Sequence, residues 1–132
     1  MIVVDSSAVV AVMRGEPEAD IFTGILNDAT GTIMSAVSFV ETNMVVMGRR
    51  IGAEPRQITS FLLSLGIEIA DVTLEQADQS VVAFLRFGKG RHRASLNLAN
   101  CFSYALAKSR NAPLLFKGDD FSQTDITAAW QS

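Results

Sequence analysis

The chain has 132 residues, 48% of them hydrophobic and 19% charged, with a formal net charge of −3. That length builds one domain with a real core, and that apolar fraction excludes a disordered chain. A single cysteine, Cys101, excludes an internal disulfide or a thiolate metal cluster; the longest unbroken apolar run, Ala8 to Met13, falls far short of the roughly 20 residues that span a bilayer, so a cytoplasmic protein with no membrane partner is expected.

Ile2, Val3 and Val4 predict a strand buried on both faces that stops at a carboxylate, Asp5. Either Ser6 or Ser7 is placed to cap a helix opened by Ala8, Val9 and Val10. An acid at a strand-to-helix junction stands at the carboxyl edge of a sheet, where open α/β folds bind ligands. Asp5 is therefore a site acid or a plain helix cap. Pro17 is placed to open a second helix that runs to about Leu26, and Asn27 to Gly31 is a turn. A second strand is expected over residues 32–34 and a third helix over about 38–50, which Gly48 and Gly52 help to end.

Pro55 opens a fourth helix with Ile58, Phe61, Leu62 and Leu65 at helical spacing, closed by Gly66. Residues 67–70 alternate as a strand. Thr73 and Gln76 form a capping-box pair for a fifth helix that turns Ala77, Val81, Phe84 and Leu85 inward until Gly88 and Gly90 stop it. Beyond the basic loop from Lys89 to Arg93, Asn97 caps a sixth helix over about 98–110, which Ala112 and Pro113 terminate. Residues 114–116 read as a buried strand, 118–121 as a turn and 124–126 as a last edge strand. Strands alternating with helices give an α/β fold with a parallel sheet covered on both faces, and no linker or repeat divides residues 1–132.

On that frame Asp5 ends the first strand, and Glu41 lies in the first turn of the third helix. Asn100 lies in the first turn of the sixth, while Asp119 and Asp120 follow the last buried strand. All these edges face one side of a parallel sheet, so four acidic or amide oxygens can share one cleft. Oxygen ligands without a cysteine cluster or a second histidine favour Mg²⁺ or Mn²⁺ over zinc. Each position also has a plainer reading. Ser38 and Glu41 have capping-box spacing, Asn100 stands three residues after the cap Asn97, and Asp119 and Asp120 suit a turn.

Charge is unevenly placed. No acid lies between Asp78 and Asp119, while Arg86, Lys89, Arg91, Arg93, Lys108, Arg110 and Lys117 supply seven of the eleven basic side chains, so a polyanion can be held there despite the acidic total. His92 is the only histidine and reads as a loop residue without chemistry.

The stretches Val3 to Ala8, SAVSFVET from Ser35, GKGRHRASLNLANCFSYALAK from Gly88 and PLLFKGDDFSQTDI from Pro113 resemble the PIN-domain ribonucleases, in particular the VapC-type toxins of bacterial toxin–antitoxin pairs. The resemblance runs over nearly the whole chain. It implies a three-layer α/β/α fold with a central, mainly parallel five-stranded sheet, and Mg²⁺-dependent endonucleolytic cleavage of RNA. It further implies a homodimer and inhibition by a small cognate VapB-type antitoxin. Position by position, Asp5 matches the family's first metal-binding acid and Glu41 its second, with Asp119 or Asp120 in the region of the fourth. The third acid stands where this chain has Asn100. Ser6 and Ser7 are expected to support the site, and Lys89, Arg91 and Arg93 to hold RNA phosphates.

An amide in place of a carboxylate keeps the shape and one neutral oxygen but deletes a negative charge beside a divalent ion. Losing merely an outer partner of a metal ligand costs about 10 to 100-fold in affinity or activity, so weakened or abolished activity is expected. A natural variant and an inactivating Asp-to-Asn change both fit, the intact surrounding motif favouring the second. The alternative is a noncatalytic RNA- or antitoxin-binding module. A phosphoacceptor built on Asp5, Asp71 and Lys117 fits less well, because Ser6 rather than a second acid follows Asp5.

Overall fold

The computed structural model describes residues 1–48 and 54–131, so the expected end of the third helix at Arg50 and Gly52 lies outside the described residues. Four short strands, β1 (Ile2–Val4), β2 (Thr32–Ser35), β3 (Ile67–Ala70) and β4 (Leu114–Leu115), pair in parallel in the order β3-β2-β1-β4. Val3 stands opposite both Ile33 and Leu114. Side chains alternate across a strand, so Val3, Ile33 and Leu114 enter one apolar layer while Val4, Met34 and Leu115 enter the other. Burial on both faces is the reason these strands are unbroken apolar runs.

Among the described residues six helices cover the sheet: α1 (Ser6–Met13), α2 (Ala19–Asp28), α3 (Ala36–Gly48), α4 (Pro55–Ser64), α5 (Leu74–Phe87) and α6 (Leu98–Arg110). Val9, Phe22, Leu26, Ile58 and Leu62 of α1, α2 and α4 fill one layer. Ala83 and Phe87 of α5, with Tyr104 and Leu106 of α6, fill the other. Helix α3 packs against both α1 and α6 and so links the two layers at the sheet's edge. The three-layer α/β/α arrangement expected from the sequence is present.

Among the described residues the sheet has four strands rather than the expected five. Residues 124–126 do not pair; Phe121–Gln123 forms a 3₁₀ turn, and the chain meets the sheet only at Ala128, in a single parallel bridge to Leu114. The Leu114 amide donates to Thr127 O and the Ala129 amide to Leu114 O, both at 2.9 Å. A two-residue β4 offers too little backbone edge to register a further strand.

Local signals placed some ends well and others poorly. Thr73 caps α5 by accepting from the Gln76 amide at 3.1 Å. Asn97 and Asn100 cap α6 reciprocally, at 2.9 and 3.1 Å. By contrast neither Ser6 nor Ser7 caps α1. Asp5 does, accepting from the Ser7 amide at 3.1 Å, so the helix starts at Ser6. Helix α2 opens at Ala19, after Pro17, because the Ala19 amide first closes a turn onto Glu16 O. Helix α3 leaves β2 directly at Ala36, which places Ser38 inside the helix and rules out a Ser38–Glu41 capping box. Helix α5 buries Ser80, Ala83 and Phe87 and leaves Val81, Phe84 and Leu85 exposed, reversing the expected face. Its small residues allow close packing on α6, where the Phe87 and Tyr104 rings stand 5.5 Å apart.

Candidate active site

From β1 the chain runs outward to β2 and β3, then returns to place β4 on the other side of β1. Ligands of open α/β sheets bind where strand order reverses in this way, beyond the carboxyl ends of the strands. Asp5 occupies that point. Its amide donates to Leu115 O at 2.9 Å, which pins it between β1 and β4.

The Asp5 carboxylate is 1% exposed and is held from two sides. Oδ1 accepts from the Ser103 hydroxyl at 2.6 Å, and Oδ2 accepts from the Ser7 hydroxyl at 2.7 Å and the Ser7 amide at 3.1 Å. Ser7 Oγ in turn accepts from the Lys117 amide at 3.0 Å. No cationic side chain among the described residues pairs with Asp5. Burial raises its proton affinity above the ordinary Asp value; the Ser103 and Ser7 hydrogen bonds oppose the rise and the Asp120 charge adds to it.

Glu41 accepts a short hydrogen bond from the Ser6 hydroxyl. Its carboxyl is also raised, by burial first and further by the Asp5 charge, with the Ser6 bond opposing. The plain reading of Asp5 as the cap of α1 is observed, and the same side chain lies close enough to Glu41 for its charge to act there. Glu41 and the start of α6 line one open apolar groove of about 540 Å³, with Val37, Val40, Met44, Leu98 and Ala99.

Asn100 lies one helical turn before Ser103, and residues three apart share a helix face, so it stands toward the same edge. Its Oδ1 accepts from the Asn97 amide at 3.1 Å. Asp120 leads into the 3₁₀ turn and its charge reaches Asp5. Asp119 instead accepts the Ser122 amide and hydroxyl on its backbone oxygen and lines a separate cleft with Lys117 and Trp130.

The basic face is smaller than the sequence suggests. Lys108 and Arg86 reach Asp125 at 3.1 and 3.7 Å, and Lys117 is held by Glu16 and, at 3.0 Å, by Glu18. Among the described residues Lys89, Arg91, Arg93 and Arg110 make no ion pair and are exposed. The loop carrying the first three is closed by the Gly88–Leu96 bridge, with Arg91 and His92 amides donating to Gly88 O at 2.9 and 3.0 Å. His92 is a structural member of it: Nδ1 accepts from the Ala94 amide at 3.0 Å and the ring stands edge-on to Phe87. Lys117, committed to Glu16 and Glu18, is not placed to serve Asp5 as a phosphoacceptor lysine. Cys101 is buried, which pushes its thiol up.

Two site residues went unnoticed in the sequence. Ser38 and Ser103 are fully buried and bonded to each other at 2.9 Å, with Ser103 holding Asp5. Their signal was spacing, since Ser38 stands three residues before Glu41 and Ser103 three after Asn100.

The donors suit a hard divalent cation. Asp5 is buried and Glu41 half-buried, their charges oppose each other and no cationic side chain among the described residues pairs with either, and Mg²⁺ is commonly held by one or two carboxylates with water and phosphate completing its octahedron. Among the described residues no group of three or more His, Cys, Asp or Glu side chains is placed to hold a metal ion. Asparagine at position 100 leaves Asp5 and Glu41 as the two neighbouring acids of the candidate site.

A parallel sheet with two neighbouring acids at its reversal point defines an α/β protein whose candidate site lies beyond the carboxyl ends of its strands. The PIN domain family model matches residues 2–126, and the chain belongs to the PIN-domain family, in its VapC branch. It is 42% identical over 126 residues to Ribonuclease VapC of Mycolicibacterium smegmatis, covering 96% of this chain and 98% of that one. Ribonuclease VapC30 of Mycobacterium tuberculosis is 41% identical over 124 residues, 94% of this chain and 95% of the relative. Among solved structures, the Mycobacterium tuberculosis toxin VapC20, which cleaves the sarcin-ricin loop, superposes with a TM-score of 0.77 at 16% identity, over 96% of this chain and 97% of that one. A toxin–antitoxin complex from Klebsiella pneumoniae gives 0.70 at 17% identity, over 95% and 93%. These two likenesses establish the fold.

Proposed function

We propose that this chain is an endoribonuclease toxin of a toxin–antitoxin module, acting in the cytoplasm at the Asp5 edge of the sheet with Mg²⁺, or Mn²⁺ in its place. The observation that carries the reading is Asp5 itself: 1% exposed, hydrogen-bonded by neutral groups alone and within charge range of the further acids Glu41 and Asp120. An unpaired buried carboxylate is costly unless it is protonated or meets a cation. Names of relatives at about 41% identity support ribonuclease activity.

When bound, Mg²⁺ would supply Lewis acidity toward water and toward the scissile phosphate. Asp5 and Glu41 would hold the cation, Asp120 would add negative potential, and Asn100 would offer a neutral oxygen where an acid would add charge. Ser7 and Ser6 orient the two acids. Lys89, Arg91 and Arg93 bind flanking phosphates and set the RNA strand across the site. A VapB-type protein partner is supported by solved relatives that are toxin–antitoxin complexes, one of them VapBC2 of Rickettsia felis bound to promoter DNA. Exposed Val81, Val82 and Leu85 on α5 support a homodimer.

Asn100 favours a second reading, a noncatalytic RNA- or antitoxin-binding module, because its amide oxygen is committed to the Asn97 cap. Asn100→Asp separates the two. The expected result is RNA cleavage at least about 10-fold above the parent chain, requiring Mg²⁺ and abolished by chelation. RNA binding without cleavage in Asn100→Asp would overturn the catalytic reading in favour of the second.

A further inference from the structure

Serine hydroxyls inside helices ordinarily turn back onto their own helix, as Ser80 does onto Gln76 O at 2.8 Å. Ser38 and Ser103 do not. Both are fully buried, and their hydroxyls reach across the fold instead, Ser103 to Asp5 Oδ1 at 2.6 Å and Ser38 to Ser103 at 2.9 Å. A hydroxyl has one proton, and Ser103 gives its own to Asp5. The Ser38–Ser103 bond must then be donated by Ser38, which fixes the direction of the chain as Ser38 to Ser103 to Asp5.

We infer that Ser103 and Ser38 are positioning residues, a buried two-hydroxyl relay that fixes the Asp5 carboxylate for a divalent cation. The inference rests on the metal-dependent reading above. An ionised carboxylate accepts about four hydrogen bonds. Ser7 takes both places on Oδ2 and Ser103 one on Oδ1, so the remaining acceptor place belongs to Oδ1, the atom the relay holds. A 2.6 Å contact lies in the charge-assisted range, and Ser38 polarises the Ser103 hydroxyl by donating to it. The relay also spans the site. Ser38 lies one turn before Glu41 on α3 and Ser103 one turn after Asn100 on α6, so the two helices bearing the other site positions are tied to the end of β1 through it.

The test measures Mn²⁺ binding by titration calorimetry, beside metal-free thermal unfolding, in the parent chain, in Asn100→Asp, and in each with Ser103→Ala, Ser38→Ala or both. Ser103→Ala is expected to bind Mn²⁺ about 10 to 100-fold more weakly while remaining folded without metal. Ser38→Ala is expected to lose less, and the double variant no more than Ser103→Ala, because Ser38 acts through Ser103. Ser103→Thr, which keeps the hydroxyl, is expected to recover most of the affinity. Unchanged Mn²⁺ affinity in a Ser103→Ala chain whose melting temperature has dropped would overturn the relay and leave two packing serines, as would losses that add in the double variant. If neither the parent nor Asn100→Asp binds Mn²⁺, the metal-dependent reading fails and the relay falls with it, a result distinct from a parent that binds and a Ser103→Ala that binds equally well.

Discussion

The Ser6 hydroxyl donates to the Glu41 carboxylate, joining the first residue of α1 to the second turn of α3. Burial and the Asp5 charge raise the Glu41 carboxyl, and this bond is the opposing influence. Glu41 thus binds its proton more tightly in the fold than in the unfolded chain, so the metal-free fold loses stability as pH climbs above the ordinary Glu value. Ser6→Ala removes the opposing bond. The expected outcome is a further upward move of the Glu41 titration and a matching shift to higher pH of Mn²⁺ binding, which requires the ionised carboxylate. Carboxyl-carbon NMR through the pH range reads the first quantity; a Glu41 titration that stays put in Ser6→Ala would show the bond to be absent in solution.

Basic side chains on this surface fall into engaged and open groups. Lys108 and Arg86 share Asp125, whereas Lys89, Arg91 and Arg93 project from a closed loop without an acidic partner among the described residues. Replacing Lys89, Arg91 or Arg93 by Ala should weaken binding of single-stranded RNA and flatten the plot of log affinity against log salt by about 0.7 for each phosphate no longer neutralised. Lys108→Ala should leave the slope near its parent value. Filter binding across a salt series reads both, and equal slopes for Arg91→Ala and the parent would remove the loop from the RNA interface.

Much of this was legible because the signals are local. A strand ending in Asp5, the Thr73 cap and the Asn97–Asn100 pair are each written within a few consecutive residues and appear as expected, while the Gln76 side chain bonds Gln79 instead of closing the expected box on Thr73. Features decided by packing at a distance were not legible. Val81 and Leu85 are large and apolar, yet α5 turns Ser80 and Ala83 inward because the small side fits closely on α6. Lys117 reads as a free cation in the sequence, but folding brings it to Glu16 and Glu18, about a hundred residues upstream. Ser38 and Ser103 lie within stretches that carry the family resemblance, but nothing local marks them as partners of Asp5; that link follows from how α3 and α6 pack together.

Glycine supplies a pair of opposed stability predictions. Gly88 ends α5, its amide donating to Phe84 O at 2.8 Å, and a methyl group there would overlap both that carbonyl oxygen and the Phe84 ring. Because a backbone atom is one of the obstacles, Gly88→Ala should cost about 1–3 kcal/mol and loosen the basic loop that follows. Gly24 lies exposed inside α2 with nothing within 4 Å of the added carbon. Gly24→Ala should therefore stabilise by about 0.5–1 kcal/mol through lower unfolded-state entropy and better helix propensity. Urea unfolding measures both; equal and small effects would mean that α5 does not end in this geometry.

Tyr104, at the middle of α6, donates its hydroxyl to Asp125, and Arg86 reaches the same phenol oxygen at 3.4 Å. Burial first, then the bond to Asp125 and its negative charge, pushes the phenol up to about 12 from an ordinary 10.0. Between those values the unfolded chain releases the proton and the folded chain keeps it, so the fold binds more protons and its stability falls as pH rises through the interval. The sequence holds one tyrosine, so near-ultraviolet phenolate absorbance reports this side chain alone. A midpoint close to 12 is expected, shadowed by the onset of alkaline unfolding, and Tyr104→Phe should remove the stability slope in that window while costing about 1 kcal/mol at neutral pH. A midpoint near 10 would instead mean that the segment carrying Asp125 stands away from α6 in solution, and with it the anchor that holds the C-terminal stretch beside β4.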